Sequence, residues 1–157
     1  MIVANGIRTR SALENYFAGL PEGVAMVKLI PSEEFVFDMQ IQPGNQSSAA
    51  IRVGIYSSGA CILSCGHDVQ FDFVDHPIPK SEEIVRICQA ITEGGLTEVV
   101  KKAGERIVSS KGELVMKGAR MYSNRTSVWN AVRGLGKKQE VVTITYPPYE
   151  AMQPNKS

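Results

Sequence analysis

The sequence predicts an α+β fold, an antiparallel meandering β-sheet with an N-terminal helix and a central helix packed against it. Three observations predict it. The apolar period is helical near residue 13, switches to two between residues 24 and 73, and turns helical again after Ser81. The strand-like runs are joined by links too short for a parallel crossover. Strands come in runs instead of alternating with helices, which separates α+β from parallel α/β.

Each element has its own signal. Ser11 and Glu14 have capping-box spacing. Leu13, Tyr16, Phe17 and Leu20 then form one apolar stripe, stopped by Gly19 and Pro21. Val24 to Ile30 is mostly apolar on both faces and reads as a central strand. Phe35, Phe37, Met39 and Ile41 alternate with polar neighbours, and the short link Pro31–Glu34 makes the pair a hairpin. Ile51–Ile55, Cys61–Ser64 and Val69–Phe73 follow as strands, with turns at Ser57-Ser58-Gly59 and Gly66-His67-Asp68.

Ser81 is placed to cap a second helix, with Glu82 and Glu83 in its first turn and an Ile84, Ile87, Cys88, Ile91 stripe. Thr97 would cap a short helical continuation through Val99, Val100 and Ala103. Arg106–Ser109 and Glu113–Tyr122 read as a hairpin around Lys111-Gly112, with a bulge at Gly118. Ser127–Leu135 reads as a short helix packing Trp129 into the core beside Val128 and Val132, and Val141–Tyr146 as a last strand. Residues 1–146 are expected to form a single domain and 147–157 a polar, flexible tail.

The chain has 157 residues, 43% hydrophobic and 21% charged, which suits one globular core without metal or disulfide staples. No apolar run approaches the ~20 residues that span a bilayer, and the first residues lack a signal-like pattern, so a cytoplasmic protein without membrane contact is expected. Three cysteines, Cys61, Cys65 and Cys88, are too few for a disulfide framework and read as reduced, buried thiols. The net charge of +1 hides an asymmetry: residues 1–100 hold six basic and twelve acidic side chains, a balance of −6, and residues 101–138 ten basic and two acidic, a balance of +8.

The common nucleotide cradles, the zinc-protease helix, C-x-x-C and the nucleophile elbow are missing from the sequence. Cys65 and His67 are the best nucleophile and base, set at a strand break with Ser64 and Asp68, but neighbouring strand residues diverge and a bend would be needed to join them. His67, Asp68, Asp72, Asp75 and His76 raise a metal question without matching a compact ligand spacing. The acidic residues Asp68, Asp72, Asp75, Glu82 and Glu83 run across a strand-to-helix junction, where they would steer and hold a basic partner. The cations Lys101, Lys102, Arg106, Lys111, Lys117, Arg120, Arg125, Arg133, Lys137 and Lys138 would neutralise phosphates, with Tyr122 and Trp129 among them for stacking. The two charge blocks would otherwise neutralise each other.

The run Arg52-Val53-Gly54-Ile55-Tyr56, the strand Val69–Phe73, the helix Ser81–Ile91 and a Gly-turn hairpin after it have a familiar arrangement. Over residues 50–120 this resembles the small α+β immunity proteins found beside bacterial polymorphic toxins. The resemblance implies tight protein binding that blocks a toxin, often through an acidic face when the toxin is a nuclease, and it carries no catalytic residues. The basic stretch after residue 100 departs from a uniformly acidic inhibitor. The leading expectation is therefore a protein-binding module that inhibits a toxin, a basic toxin domain being its partner through the five acidic residues, without cofactor or metal. The alternatives are a nucleic-acid-binding module using residues 101–138 and a small cysteine or metal-dependent enzyme around Cys65 and His67.

Overall fold

Alternation of apolar and polar side chains builds two antiparallel sheets here, not one. The computed structural model describes residues 2–73 and 79–151. Helix α1 (Ile2–Ala18) leads into β1 (Ala25–Leu29), β2 (Phe35–Pro43), β3 (Ile51–Tyr56), β4 (Cys61–Cys65) and β5 (Val69–Phe73), a five-stranded meander in sequence order. Helix α2 (Ser81–Thr92) follows. Then β6 (Leu96–Ala103), β7 (Arg106–Met116), β8 (Ala119–Thr126), α3 (Val128–Arg133) and β9 (Gln139–Thr145) complete a second sheet of order β8-β7-β6-β9.

The α+β class and the N-terminal helix are as the sequence predicts, and the differences are local. Helix α1 starts at Ile2, well before the expected cap, so Ser11 is exposed in mid-helix and Glu14 instead accepts from Arg10 Nε at 3.0 Å. The buried stripe runs Gly6, Thr9, Leu13, Phe17, and its small members hide it from an apolar count. Gly6 lets α1 sit directly on Val36, since a Cβ there would lie 2.6 Å from a Val36 methyl. Likewise Ser81 is not the cap of α2. Lys80 holds that place, its N–H donating to Glu83 Oε2 at 3.1 Å, while the Ser81 hydroxyl lies 3.3 Å from Thr9 of α1.

Two segments differ from the expectation, β1 in its place in the sheet and β6 in its type. β1 is an edge strand, exposed along most of its length, because nothing covers the apolar side chains that suggest a central position. β6 replaces the helix expected from Thr97: Leu96, Glu98 and Val100 alternate inward, and the charged Glu98 at a core position breaks the apolar alternation that would reveal a strand. β7 runs unbroken through Lys111-Gly112, and the hairpin turn falls at Lys117-Gly118, where Gly118 takes φ +77°.

The core gathers on one face of the first sheet. Phe37, Met39, Ile41, Val53, Ile55, Leu63 and Phe71 are buried there against Leu13 and Phe17 of α1 and Ile84, Ile87, Cys88 and Ile91 of α2. The second sheet joins the same core through Leu96, Leu114 and Tyr146. The sheets meet where β5 abuts β7 and β8: the Val69 methyls fill the space over Gly112, and Ser123 Oγ donates to Gln70 O at 3.0 Å and accepts from Gln70 N at 3.3 Å. The start of the expected tail is docked. Ser48 donates to Pro148 O at 2.9 Å, and buried Tyr149 donates to Ala49 O at 2.6 Å. No helix is long and apolar enough to cross a membrane among the described residues.

Candidate interaction surface

The β4–β5 turn is positioned by a carboxylate that the sequence reading passes over. Glu98 is fully buried on β6 and accepts four hydrogen bonds: from the His67 and Asp68 N–H groups at 3.0 and 2.8 Å, the Ser110 hydroxyl at 2.8 Å and the Tyr146 hydroxyl at 2.7 Å. A buried charge survives only when such donors replace water. Burial, reinforced by this bond to Glu98, pushes the Tyr146 phenol up from its ordinary range. Gly66 enters the turn at φ +64° with the Tyr146 ring lying where a Cβ would be. Glu98 therefore ties the first sheet to the second. Only the lone acidic position within an otherwise apolar-leaning run hints at it in sequence.

Cys65 ends β4, just before this turn. Its side chain is buried beneath the first sheet, and desolvation pushes the thiol up to about 12, so it is protonated at neutral pH. His67 is exposed on the turn. Among the described residues, no three His, Cys, Asp or Glu side chains converge as metal ligands do, and Asp75 and His76 lie outside those residues.

The acidic residues are dispersed. Asp68 is half-buried and its carboxylate accepts from Arg125 Nη1 at 2.9 Å. Asp72 is exposed and accepts from the Gln70 side chain at 2.6 Å. By strand alternation it points away from the Phe71 and Phe73 face that α2 covers. Glu82 and Glu83 are exposed on α2, on the other side of that sheet. Asp75 lies outside the described residues. Asp72 thus does not share a face with Glu82 and Glu83.

Two cations of the basic segment, Lys101 and Lys111, share one sheet face. Outward-facing residues of the second sheet, read across the registers, are Thr97, Val99 and Lys101 on β6, Ser109, Lys111 and Glu113 on β7, Tyr122 and Asn124 on β8, and Val141, Thr143 and Thr145 on β9. Ala103 continues this face and is covered by Gly134 at the end of α3, so α3 crosses the same side. Ser127 caps α3 by accepting from Asn130 N at 3.2 Å, and Asn130 anchors the helix by donating to Ile107 O at 2.8 Å. The expectation of a core tryptophan fails: no residue of α3 is buried, Trp129 is 62% and Leu135 80% exposed, and Val128 and Val132 are exposed beside them. The helix is fixed through its backbone and Asn130, which leaves its apolar side chains outward. The Arg133 guanidinium lies 4.6 Å from the Trp129 ring centroid. Tyr122 is 67% exposed.

The two charge blocks barely pair. Among the described residues Arg125–Asp68 alone joins them, and Arg120 is bound to Glu113 at 3.1 Å. Among the described residues the other eight cations of 101–138 make no ion pair. No family profile, no curated protein and no solved structure matches this chain.

Proposed function

We propose that this chain is a protein-binding module whose working surface is α3 together with the outer face of the second sheet. The observation that supports it is the exposure of Trp129 with Val128, Val132 and Leu135 on a helix that contributes nothing buried. Exposed apolar side chains close together on one element are what binding sites present, and a tryptophan is a common anchor. Lys101 and Lys111 on that sheet face, which make no ion pair among the described residues, and Arg133 over the Trp129 ring would select an acidic partner. The specific role we attach to the module is occlusion of a toxin domain, as the resemblance over residues 50–120 implies. On this surface the toxin presents acidic groups, so the basic toxin expected for the five acidic residues gives way to an acidic one.

Co-purification of the chain with the products of its neighbouring genes, followed by calorimetry, tests this. A neighbour product should bind, and Trp129→Ala should weaken it by ~30-fold or more, the cost of losing an anchor worth about 2 kcal/mol. Absence of any binding neighbour, or full affinity of folded Trp129→Ala, overturns the reading. The exposed Tyr122 beside Asn124 and Lys111 favours a second reading, single-stranded nucleic acid stacked on this face. Fluorescence anisotropy with short RNA and DNA across a salt series separates the two: tight binding that collapses as salt rises would replace the protein partner with a polyanion.

A further inference from the structure

Among the described residues, one edge of the first sheet is closed and the other is open. At β5 the outward backbone of Gln70 is taken up by Ser123 of the second sheet. At β1, pairing among the described residues is to β2 alone. The hydrogen bonds that flank that ladder, Gly44 N to Val24 O and Ile30 N to Asp38 O, fix which backbone groups face inward. Alternation then turns the N–H and C=O groups of Ala25, Val27 and Leu29 outward. Met26 is 66% exposed on one face of the strand, and Val27 and Leu29 are exposed on the other. Exposed edges are ordinarily guarded by proline, several charges or a bulge. β9, the open edge strand of the second sheet, carries Gln139, Glu140 and two threonines, whereas β1 has a single lysine and regular pairing.

We propose that β1 pairs antiparallel with β1 of a second copy about a two-fold axis at Val27, fusing the two meanders into one continuous sheet. The strand is complementary to itself in this register. The outward groups of Val27 meet those of Val27 in the second copy, and Ala25 exchanges hydrogen bonds with Leu29, so every outward N–H and C=O of the strand is satisfied. Met26 stands opposite Lys28 of the second copy, whose methylenes cover the thioether, and no like charges face each other directly. Slipping the register by one residue would set inward-turned groups against the seam; slipping it by two would either leave Leu29 without a strand partner or place Lys28 directly opposite Lys28 of the second copy. The axis runs perpendicular to the sheet, which keeps both α1 helices on the same side. The exposed Ile2, Val3 and Ile7 of α1 come with them to that side. This interface uses the opposite edge of the molecule from the surface of the proposed function and does not depend on it.

Sedimentation equilibrium over the micromolar range should show a concentration-dependent dimer. Val27→Lys and Val27→Glu should each be monomeric, since like charges would meet on the axis, and an equimolar mixture of the two should recover a heterodimer. Val27→Cys should cross-link to itself under mild oxidation, because facing Cα atoms in such a pair lie ~5.5 Å apart, within disulfide range. The native cysteines are buried and leave that readout clean. A wild-type chain that stays monomeric, a dimer that survives Val27→Lys, or a folded Val27→Cys that fails to cross-link overturns the proposal.

Discussion

Single side chains in this molecule are tuned by what surrounds them more than by what they are. Cys61 and Cys65 are buried thiols whose ionisation desolvation pushes up to about 12, and Cys88, buried beside them, is pushed up as well. All three should resist a thiol reagent at pH 8 in the native state and react on unfolding. The raised folded values also set the sign of the alkaline stability profile. Below about pH 9 both states hold the thiol protons and the stabilisation is complete. Between about 9 and 12 the unfolded chain releases protons that the folded chain keeps, so stability falls by about 1.4 kcal/mol per pH unit for each thiol. Denaturant melts at stepped pH check it, and a flat profile above pH 9 would contradict it. On the other face of the first sheet, Arg52 donates to both oxygens of buried Asp38 at 2.9 and 2.7 Å and lies over Phe35, which stacks on Tyr56. Nothing in the residue order announces that cluster, since its members come from two strands.

At the scale of elements, local signals succeeded where each element supplies its own periodicity. The meander from Phe35 to Phe73 and the stripe of α2 were legible because inward positions are large and apolar. They failed where the inward position is small or charged, as at Gly6 and Thr9 of α1 and Glu98 of β6. Gly112 is the sharpest case. It looks like a turn residue, yet it sits within β7 because the neighbouring sheet leaves no room for a Cβ: an added carbon would lie 2.6 Å from a Val69 methyl. Gly112→Ala should therefore destabilise by ~1–3 kcal/mol through overpacking, and adding Val69→Ala should return part of that loss. A double-mutant cycle by urea denaturation measures the coupling. Additive costs would show that the contact between the sheets is not what excludes a side chain at 112.

The whole molecule is held by joints between its two sheets, and Glu98 is the most heavily bonded of them. Its carboxylate links a turn of the first sheet to Ser110 and Tyr146 of the second. Glu98→Ala leaves those donors buried without an acceptor and should cost ~3–5 kcal/mol, while Tyr146→Phe removes one charge-assisted bond and should cost ~1.5–3 kcal/mol. Equilibrium unfolding gives both numbers, and a loss below ~1 kcal/mol for Glu98→Ala would remove it from this role. The charge asymmetry also resolves at this scale. With one ion pair between the blocks among the described residues, most of the basic segment's charge is not spent on the acidic block.

By itself the sequence determined the α+β class, the order of the meander, the central helix and the buried state of the cysteines. All of these follow from side-chain periodicity and hydrophobicity along short windows. Only the tertiary structure decided that there are two sheets, that β1 is an edge, that Trp129 faces outward and that Asp72 lies on the opposite side of the first sheet from Glu82 and Glu83. Those facts depend on which surface finds a partner across the chain. A window of neighbouring residues carries the preference for burial, but the neighbour that satisfies it, or its absence, is set by packing at a distance.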